Sequence, residues 1–345
     1  MSPQLARAGE WFVSSGIQEA NGGVARYHRT DTGRNLPVST EITGSALSAY
    51  VYLHRITGDE RYFDAAHRAA SFLTRQAWDA QACVMPYEIA PAGYAYFFDC
   101  GIIVRGLLAY WRQTGEQEAL DVAAATGEFM LRDFATAAEG CHPILTLPAK
   151  TPIERDALRW SRSTGCYQLK SAMAWDELAE ATGDARFRKA YESVLADSLA
   201  TYRSFLPGHP ERAKVMDRLH AFSYFLEGLL PRAADARCAA ALADAIAMEA
   251  RLLREIAPEF ARSDVFAQLL RARLYAAEAG AVPLDKEAAQ WEAAQLAQFQ
   301  RADGGYWFGR KAGEWLPFSN PVSTAFAMQA LECFDGPLAP RYLLI

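Results

Sequence analysis

Six polar residues far apart in the chain stand at or near the starts of apolar helical segments: Glu41, Asp99, Tyr167, His220, Asp264 and Asn320. If those starts share one face, the six converge. Acid–base work on a sugar needs two carboxyls in different environments. One is protonated to donate, and the other is ionised to accept a proton or to stabilise positive charge. Glu41 and Asp99 head consecutive segments of this kind, and adjacent packed helices lie ~8–10 Å apart. Their carboxyls would then straddle a bound ring, which makes them the candidate catalytic pair. His220 is a candidate acid, base or hydroxyl-binding donor. Asp264, Tyr167 and Asn320 are candidate substrate contacts. Each has a plainer reading too. Acids at helix starts are ordinary caps, Asp264 after Ser263 above all, and a histidine there can be a core residue satisfied by a backbone carbonyl.

Aromatic residues crowd the long segments between helices, including Tyr27, Tyr87, Tyr94, Tyr96, Phe97, Trp160, Tyr306, Trp307 and Trp315. Sugar rings present apolar C–H faces that stack on aromatic planes and leave hydroxyls for a polar rim. Tyr96, Trp160 and Trp307 are therefore candidate binding residues; the competing reading is that they plug loops onto the body of the protein. Lys150, Arg155, Arg159 and Arg162 lie near Trp160. Arginine grips carboxylates through two parallel hydrogen bonds, so Arg162 is a candidate contact to an anionic, uronate-like sugar. Glu154 and Asp156 interleave with these cations, which equally suits a solvated loop.

Helices must position these groups. Apolar residues at spacings of three and four predict about twelve helices, near 3–15, 40–56, 60–76, 98–114, 117–133, 165–182, 185–204, 217–230, 234–256, 263–279, 285–299 and 321–334. Alternate helices, beginning with 40–56, are apolar nearly all round and should be buried; the others carry one charged face. Three hairpins turn on the same punctuation, Thr57-Gly58-Asp59, Thr114-Gly115-Glu116 and Thr182-Gly183-Asp184. Glycine lets a helix end in a left-handed turn, and the acid favours the start of the next. These turns span about four residues, a usual length for packed helix pairs. Long connections at 16–39, 77–97, 134–164 and 300–320 all lead into inner helices, so they should gather at one face. The first and last resemble each other: a Gly-Gly turn (Gly22-Gly23, Gly304-Gly305), then a small β-hairpin with TDTG or RKAG at its tip. That pairing suits a ring of helix hairpins closed by helix 3–15 against 321–334, in one domain over 1–345.

The balance of 35 basic and 41 acidic residues, net −6, offers no basic stripe for nucleic acid. No apolar run approaches the ~20 residues that span a bilayer, and the start lacks a secretory apolar stretch. The six cysteines are scattered without a CxxC pair, as suits buried thiols in a reducing compartment. The expectation is a cytoplasmic protein with no cofactor and no metal. GxGxxG, P-loop, GxSxG and HExxH motifs are missing.

The pattern resembles the six-hairpin (α/α)6 toroids of carbohydrate-active enzymes, over nearly the whole chain. Phe97-Phe98-Asp99-Cys100-Gly101, running on as IIVRGLLAYWRQTGE, looks like the inner helix that carries the catalytic Asp of unsaturated glucuronyl hydrolases. The resemblance implies that role for Asp99; Glu41 stands where that family has a second Asp. The T-G-D repeats also look like N-acylglucosamine epimerases and polysaccharide-biosynthesis proteins of the same build. Gln300-Arg301-Ala302-Asp303-Gly304 with Trp307 looks like the Gln/Trp repeat of terpene cyclases, but no DxDD acid motif accompanies it. The expected function is glycoside hydrolysis at a uronate-like or other polysaccharide-derived sugar. The alternatives are a sugar epimerase and a non-catalytic glycan-binding or polysaccharide-biosynthesis protein. The oligomeric state stays open.

Overall fold

A computed structural model describes residues 2–136 and 140–345, so positions 137–139 of the connection 134–164 lie outside the described residues. Among the described residues are twelve α-helices: α1 (Pro3–Ser14), α2 (Thr40–Thr57), α3 (Glu60–Phe72), α4 (Phe97–Thr114), α5 (Gln117–Asp133), α6 (Gln168–Thr182), α7 (Ala185–Phe205), α8 (Arg212–Leu229), α9 (Ala236–Ile256), α10 (Ser263–Glu278), α11 (Lys286–Ala297) and α12 (Pro321–Asp335). The even-numbered helices form an inner ring, each packed on the next and α12 on α2, while the odd-numbered ones lie outside them. α1 packs on α12 and supplies the outer partner at the seam. The chain is thus an (α/α)6 toroid around one connected apolar core.

Local chemistry explains the hairpins. Gly58, Gly115 and Gly183 cap their helices with φ of 71°, 74° and 76°. The preceding threonine bonds both ways: Thr57 Oγ1 donates to Leu53 O (2.7 Å) and accepts from Asp59 N (3.1 Å). Thr114 and Thr182 repeat the arrangement. Asp59 and Asp184 then accept the N–H two residues on, each at 2.9 Å, and cap the next helix. Because the helices run right up to this device, each turn has two residues rather than the expected four. Inner helices sit close together at glycines. A Cβ on Gly101 would stand 2.5 Å from the Cα and carbonyl oxygen of Ser171 on the neighbouring α6.

Two helix boundaries differ from expectation by more than three residues. α8 starts at Arg212, ahead of the expected 217, because it opens on the exposed Arg212 and Lys214 before its first buried residues, Val215 and Met216, too short a stretch to show a helical period. α3 gives way to a π-helical turn, Leu73–Ala77, that still packs on α2 and also touches α5.

Short strands organise the face where inner helices begin: β1 (Val24–Ala25), β2 (His28–Arg29), β3 (Arg34–Asn35), β4 (Val38–Ser39), β5 (Tyr94–Tyr96), β6 (Ile144–Thr146), β7 (Thr151–Pro152), β8 (Phe260–Arg262), β9 (Gly309–Lys311), β10 (Glu314–Trp315) and β11 (Phe318–Ser319). Both expected hairpins are present, as β2–β3 and β9–β10. They serve the seam directly, since β11 of the last connection pairs antiparallel with β2 of the first, Phe318 opposite Arg29 and Ser319 opposite His28. β5 pairs with β6 in the same way, tying the second long connection to the third. Strands β4, β5, β8 and β11 run straight into α2, α4, α10 and α12. The sheet bonds therefore fix the heads of four inner helices.

The opposite end is closed. Residues 343–345 lie buried under the ring. Arg105 donates to Leu344 O (2.9 Å), Lys170 to Ile345 O (3.1 Å) and Gln329 to Leu343 O (2.7 Å). The pocket among the inner helices is lined by residues at their strand-bearing ends.

Candidate active site

A cavity of about 220 Å³ lies among the inner-helix heads, lined by Glu41, Tyr87, Tyr96, Phe98, Asp99, Pro143, Trp160, Ser161, Tyr167, His220 and Tyr224. Glu41 is the second residue of α2 and Asp99 the third of α4, each placed by the strand before it. The two carboxyls share the cavity. Asp99 Oδ2 is buried with no hydrogen-bond partner. Burial, joined by the charge of Glu41, holds Asp99 well above the usual carboxylate range; the Arg26 guanidinium opposes this. Burial pushes Glu41 up to about 7, against the Ser45 hydroxyl, which donates to Oε1 (3.3 Å), and against Arg26. Two carboxyls that burial holds toward their neutral forms thus meet in one low-dielectric space.

His220 is the ninth residue of α8, not a helix-start residue, and it reaches the same cavity. Its Nδ1 lies 2.7 Å from Gln268 Oε1 and 3.5 Å from Asp264 Oδ2, both acceptors, so Nδ1 carries the proton. Nε2, 2.9 Å from the Tyr224 hydroxyl, then accepts from it. Burial depresses the His220 pKa despite the nearby Asp264, so the ring is neutral. Tyr224 is left with acceptor lone pairs in the cavity. Its signal in the sequence was a tyrosine four residues after His220 on an apolar helix, one turn on along the same face. Phe98, Pro143 and Ser161 are further lining residues without a sequence signal.

The aromatic wall is interlocked. Phe98 packs on Tyr224 (centroids 4.5 Å apart) and Trp160 edge-on against Tyr167 (5.1 Å). Tyr87 meets Tyr96 at 4.9 Å and lies under the Arg26 guanidinium, 4.7 Å away. Arg26 also pairs with Glu88. Tyr96, Trp160 and Tyr167 thus stand together where stacking on a ring is possible.

The other expected contacts lie elsewhere. Asp264 is buried behind His220. It is not the cap of α10, because Arg262 grips it through two bonds (3.0 and 2.6 Å). Burial pushes the Asp264 carboxyl up, but Arg262 and His220 outweigh it and hold it below the usual range. Asn320 caps α12, accepting from Val322 N (2.7 Å) and Ser323 N (3.3 Å). Trp307 is stacked on Trp315 (5.9 Å, 11°) with Arg301 over its face (4.3 Å), away from the cavity lining. Arg162 does not line the cavity either. Of its neighbours, Lys150 donates to Ala82 O (2.7 Å) and Arg159 pairs with Asp156 (3.4 Å). The basic loop therefore forms no clamp over the site; the cation nearest the carboxyl pair by its electrostatic effect is Arg26.

No family model and no curated protein sequence matches this chain. Solved structures do resemble it. Cellobiose 2-epimerase from Spirochaeta thermophila is 15% identical, with a TM-score of 0.72 over 96% of each chain. A sugar epimerase from a ruminal bacterium is 13% identical, with a TM-score of 0.70 over 97% of this chain and 100% of that one. An α-1,6-mannanase from Salegentibacter is 12% identical, with a TM-score of 0.62 over 96% and 99%. At this identity the likeness is one of fold, the six-hairpin toroid that these proteins share.

Proposed function

We propose that this toroid is a carbohydrate-active enzyme that cleaves a glycosidic bond, with Asp99 as general acid and Glu41 as its base or nucleophile. The observation that carries the reading is the shared cavity: two carboxyls from adjacent inner helices, both lifted by burial, inside an aromatic wall. Asp99 Oδ2 has no partner, so its proton is free to pass to a leaving oxygen. Glu41 keeps two features that favour its anion, the Ser45 hydroxyl and the charge of Arg26. It can take the proton of an attacking water or bond to the anomeric carbon; the carboxyl separation in a sugar complex decides which. The cavity, about 220 Å³, falls below the ~300–1,000 Å³ common for ligand pockets. It suits one sugar ring, so a small glycoside or a chain end is the substrate favoured here. The fold's known relatives include proteins named for sugar epimerisation and for mannan cleavage, which agrees with a sugar ligand.

One observation favours a second reading. A neutral His220 bonded to Tyr224 in the same cavity could move a proton at a sugar carbon, as an epimerase must. Mass separates the two readings. Hydrolysis adds a water to the substrate, whereas epimerisation leaves its mass unchanged. Incubating the protein with a panel of disaccharides, uronates and aryl glycosides should yield the hydrolysed product. Asp99→Asn should lower kcat/KM by about 10²–10⁴-fold while the fold persists. A loss below tenfold, or products of unchanged mass, overturns the hydrolase assignment. Sugar binding without turnover favours a glycan-binding protein. The pH profile carries a sign as well. Activity should rise as Glu41 ionises through about pH 7 and fall at higher pH as Asp99 loses its proton. A profile flat across neutrality removes Glu41 from the reaction.

A further inference from the structure

A second cavity, about 260 Å³, lies outside the inner ring between α6, α7 and the first half of α8, and none of its lining residues lines the central one. One wall is Arg218, more than nine-tenths buried. Its Nε donates to Phe205 O (3.1 Å) and its plane lies 4.4 Å over the Phe205 ring. The chain makes room for it at Gly208, where a Cβ would come within 2.5 Å of the guanidinium carbon. The guanidinium is therefore fixed in place, yet its buried Nη1 has no hydrogen-bond partner among the described residues, and no carboxylate among them holds its charge. An unpaired buried cation is costly, and its forked edge matches an oxyanion.

The remaining walls call for a different chemistry. Asp197 offers a carboxylate, already accepting from Gly140 N (3.0 Å). Thr201 and Ser204 spend their hydroxyl protons on backbone carbonyls (2.8 Å each), leaving lone pairs. These groups accept hydrogen bonds, so they require a ligand that donates them. We propose that this cavity is a second ligand site, for a small polyhydroxylated oxyanion, a sugar acid or a sugar phosphate, with its anionic end on Arg218 and its hydroxyls on Asp197, Thr201 and Ser204. The site shares a wall with the central cavity. Ser163 lines the outer one, and its carbonyl accepts the hydroxyl of Tyr167 (2.8 Å), which lines the inner.

Calorimetric titration of the full chain tests this, with gluconate, glucose 6-phosphate, inorganic phosphate and glucose as probes. Gluconate or glucose 6-phosphate should bind saturably and more tightly than glucose or phosphate alone; whichever binds tighter identifies the anionic end. Arg218→Gln should weaken that binding about tenfold or more, the order expected for losing a charge-assisted hydrogen bond. Arg218→Lys, which keeps the charge and guards against a folding defect, should weaken it less. Asp99→Asn should leave it intact. No saturable binding of either probe by the unaltered protein overturns the proposal. So does binding that Arg218→Gln leaves unchanged, or binding that Asp99→Asn abolishes, which would assign the ligand to the central cavity without touching the hydrolase reading.

Discussion

At the scale of residues, the carboxyl pair carries a stability cost that can be measured without a substrate. Glu41 takes up its proton near pH 7 in the folded protein and near its ordinary 4.5 when unfolded. The folded state thus binds the proton more tightly, and the resulting stability is present below pH 4.5 and lost as pH rises through about 7. Glu41→Gln removes an ionisable group that is penalised at high pH. Relative to the unaltered protein, the variant should gain stability between pH 4.5 and 7 and hold the gain above, by at most about 3 kcal/mol. Urea unfolding at pH 4.5, 6 and 8 reads this directly, and a difference that does not grow with pH would contradict the buried, proton-holding Glu41. Much of this site was legible before folding. Glu41, Asp99, Tyr167, Trp160 and Tyr96, each marked by a helix start or a loop aromatic, all reach the cavity, and His220 reaches it from the middle of α8. Asp264, Asn320 and Trp307 carry comparable marks and do not, because an ion pair, a cap and a stack respectively consume them locally, and Arg162 lies outside the lining as well. Residue type and position cannot separate these cases; only the partner can, and the partner is distant in sequence.

At the scale of elements, the site depends on how closely inner helices approach. Asp99 sits two residues before Gly101, which abuts the backbone of Ser171 on α6. Gly101→Ala places a methyl group 2.5 Å from that backbone, and neither strand of main chain can yield as a flexible side chain would. The expected cost is about 1–3 kcal/mol of overpacking, read by chemical denaturation. Activity should fall as well, since α4 must shift to admit the group. An unchanged stability would mean that α4 and α6 are not held at this distance. The helices themselves were readable because apolar periodicity extends over whole segments and threonine–glycine–acid punctuation ends three of them. The boundary of α8 was not, because its first turn, Arg212 to Val215, opens on solvated residues whose pattern is the same in a loop. Pairing of β5 with β6 was hidden for a related reason. Three-residue strands show no alternation, and their register is set by the helices they join.

At the scale of the whole molecule, the ring must be closed laterally and sealed at one end. The lateral closure was visible as two matched loops, which the β2–β11 pairing joins. The seal was not, because it is built from single charges spread over the inner helices. Glu227 of α8 lies 2.9 Å from Lys170 of α6 and also pairs with Arg271 of α10; all three are fully buried. Arg271 bonds Gln329 (2.8 Å), and Gln329 and Lys170 hold residues 343 and 345 by their backbones. Burial pushes Lys170 down to about 7, and burial likewise works against the Glu227 anion, but Arg271 and Lys170 hold Glu227 below its ordinary value. The network is thus balanced around one anion. Glu227→Gln leaves Arg271 and the Lys170 amine buried without the anion they share, and breaking a buried pair in this way costs about 3–5 kcal/mol. The loss should reach the seal before the rest of the fold, since Lys170 and, through Arg271, Gln329 are its anchors. Limited proteolysis of the variant should therefore cut within 338–345 under conditions where the unaltered protein stays whole. Lys170→Met added to Glu227→Gln should restore part of the stability by removing one of the orphaned buried groups. If the single variant melts with the unaltered protein and its tail stays protected, the charges are not what closes the ring, and apolar packing of Leu343, Leu344 and Ile345 alone must hold the floor beneath the central cavity.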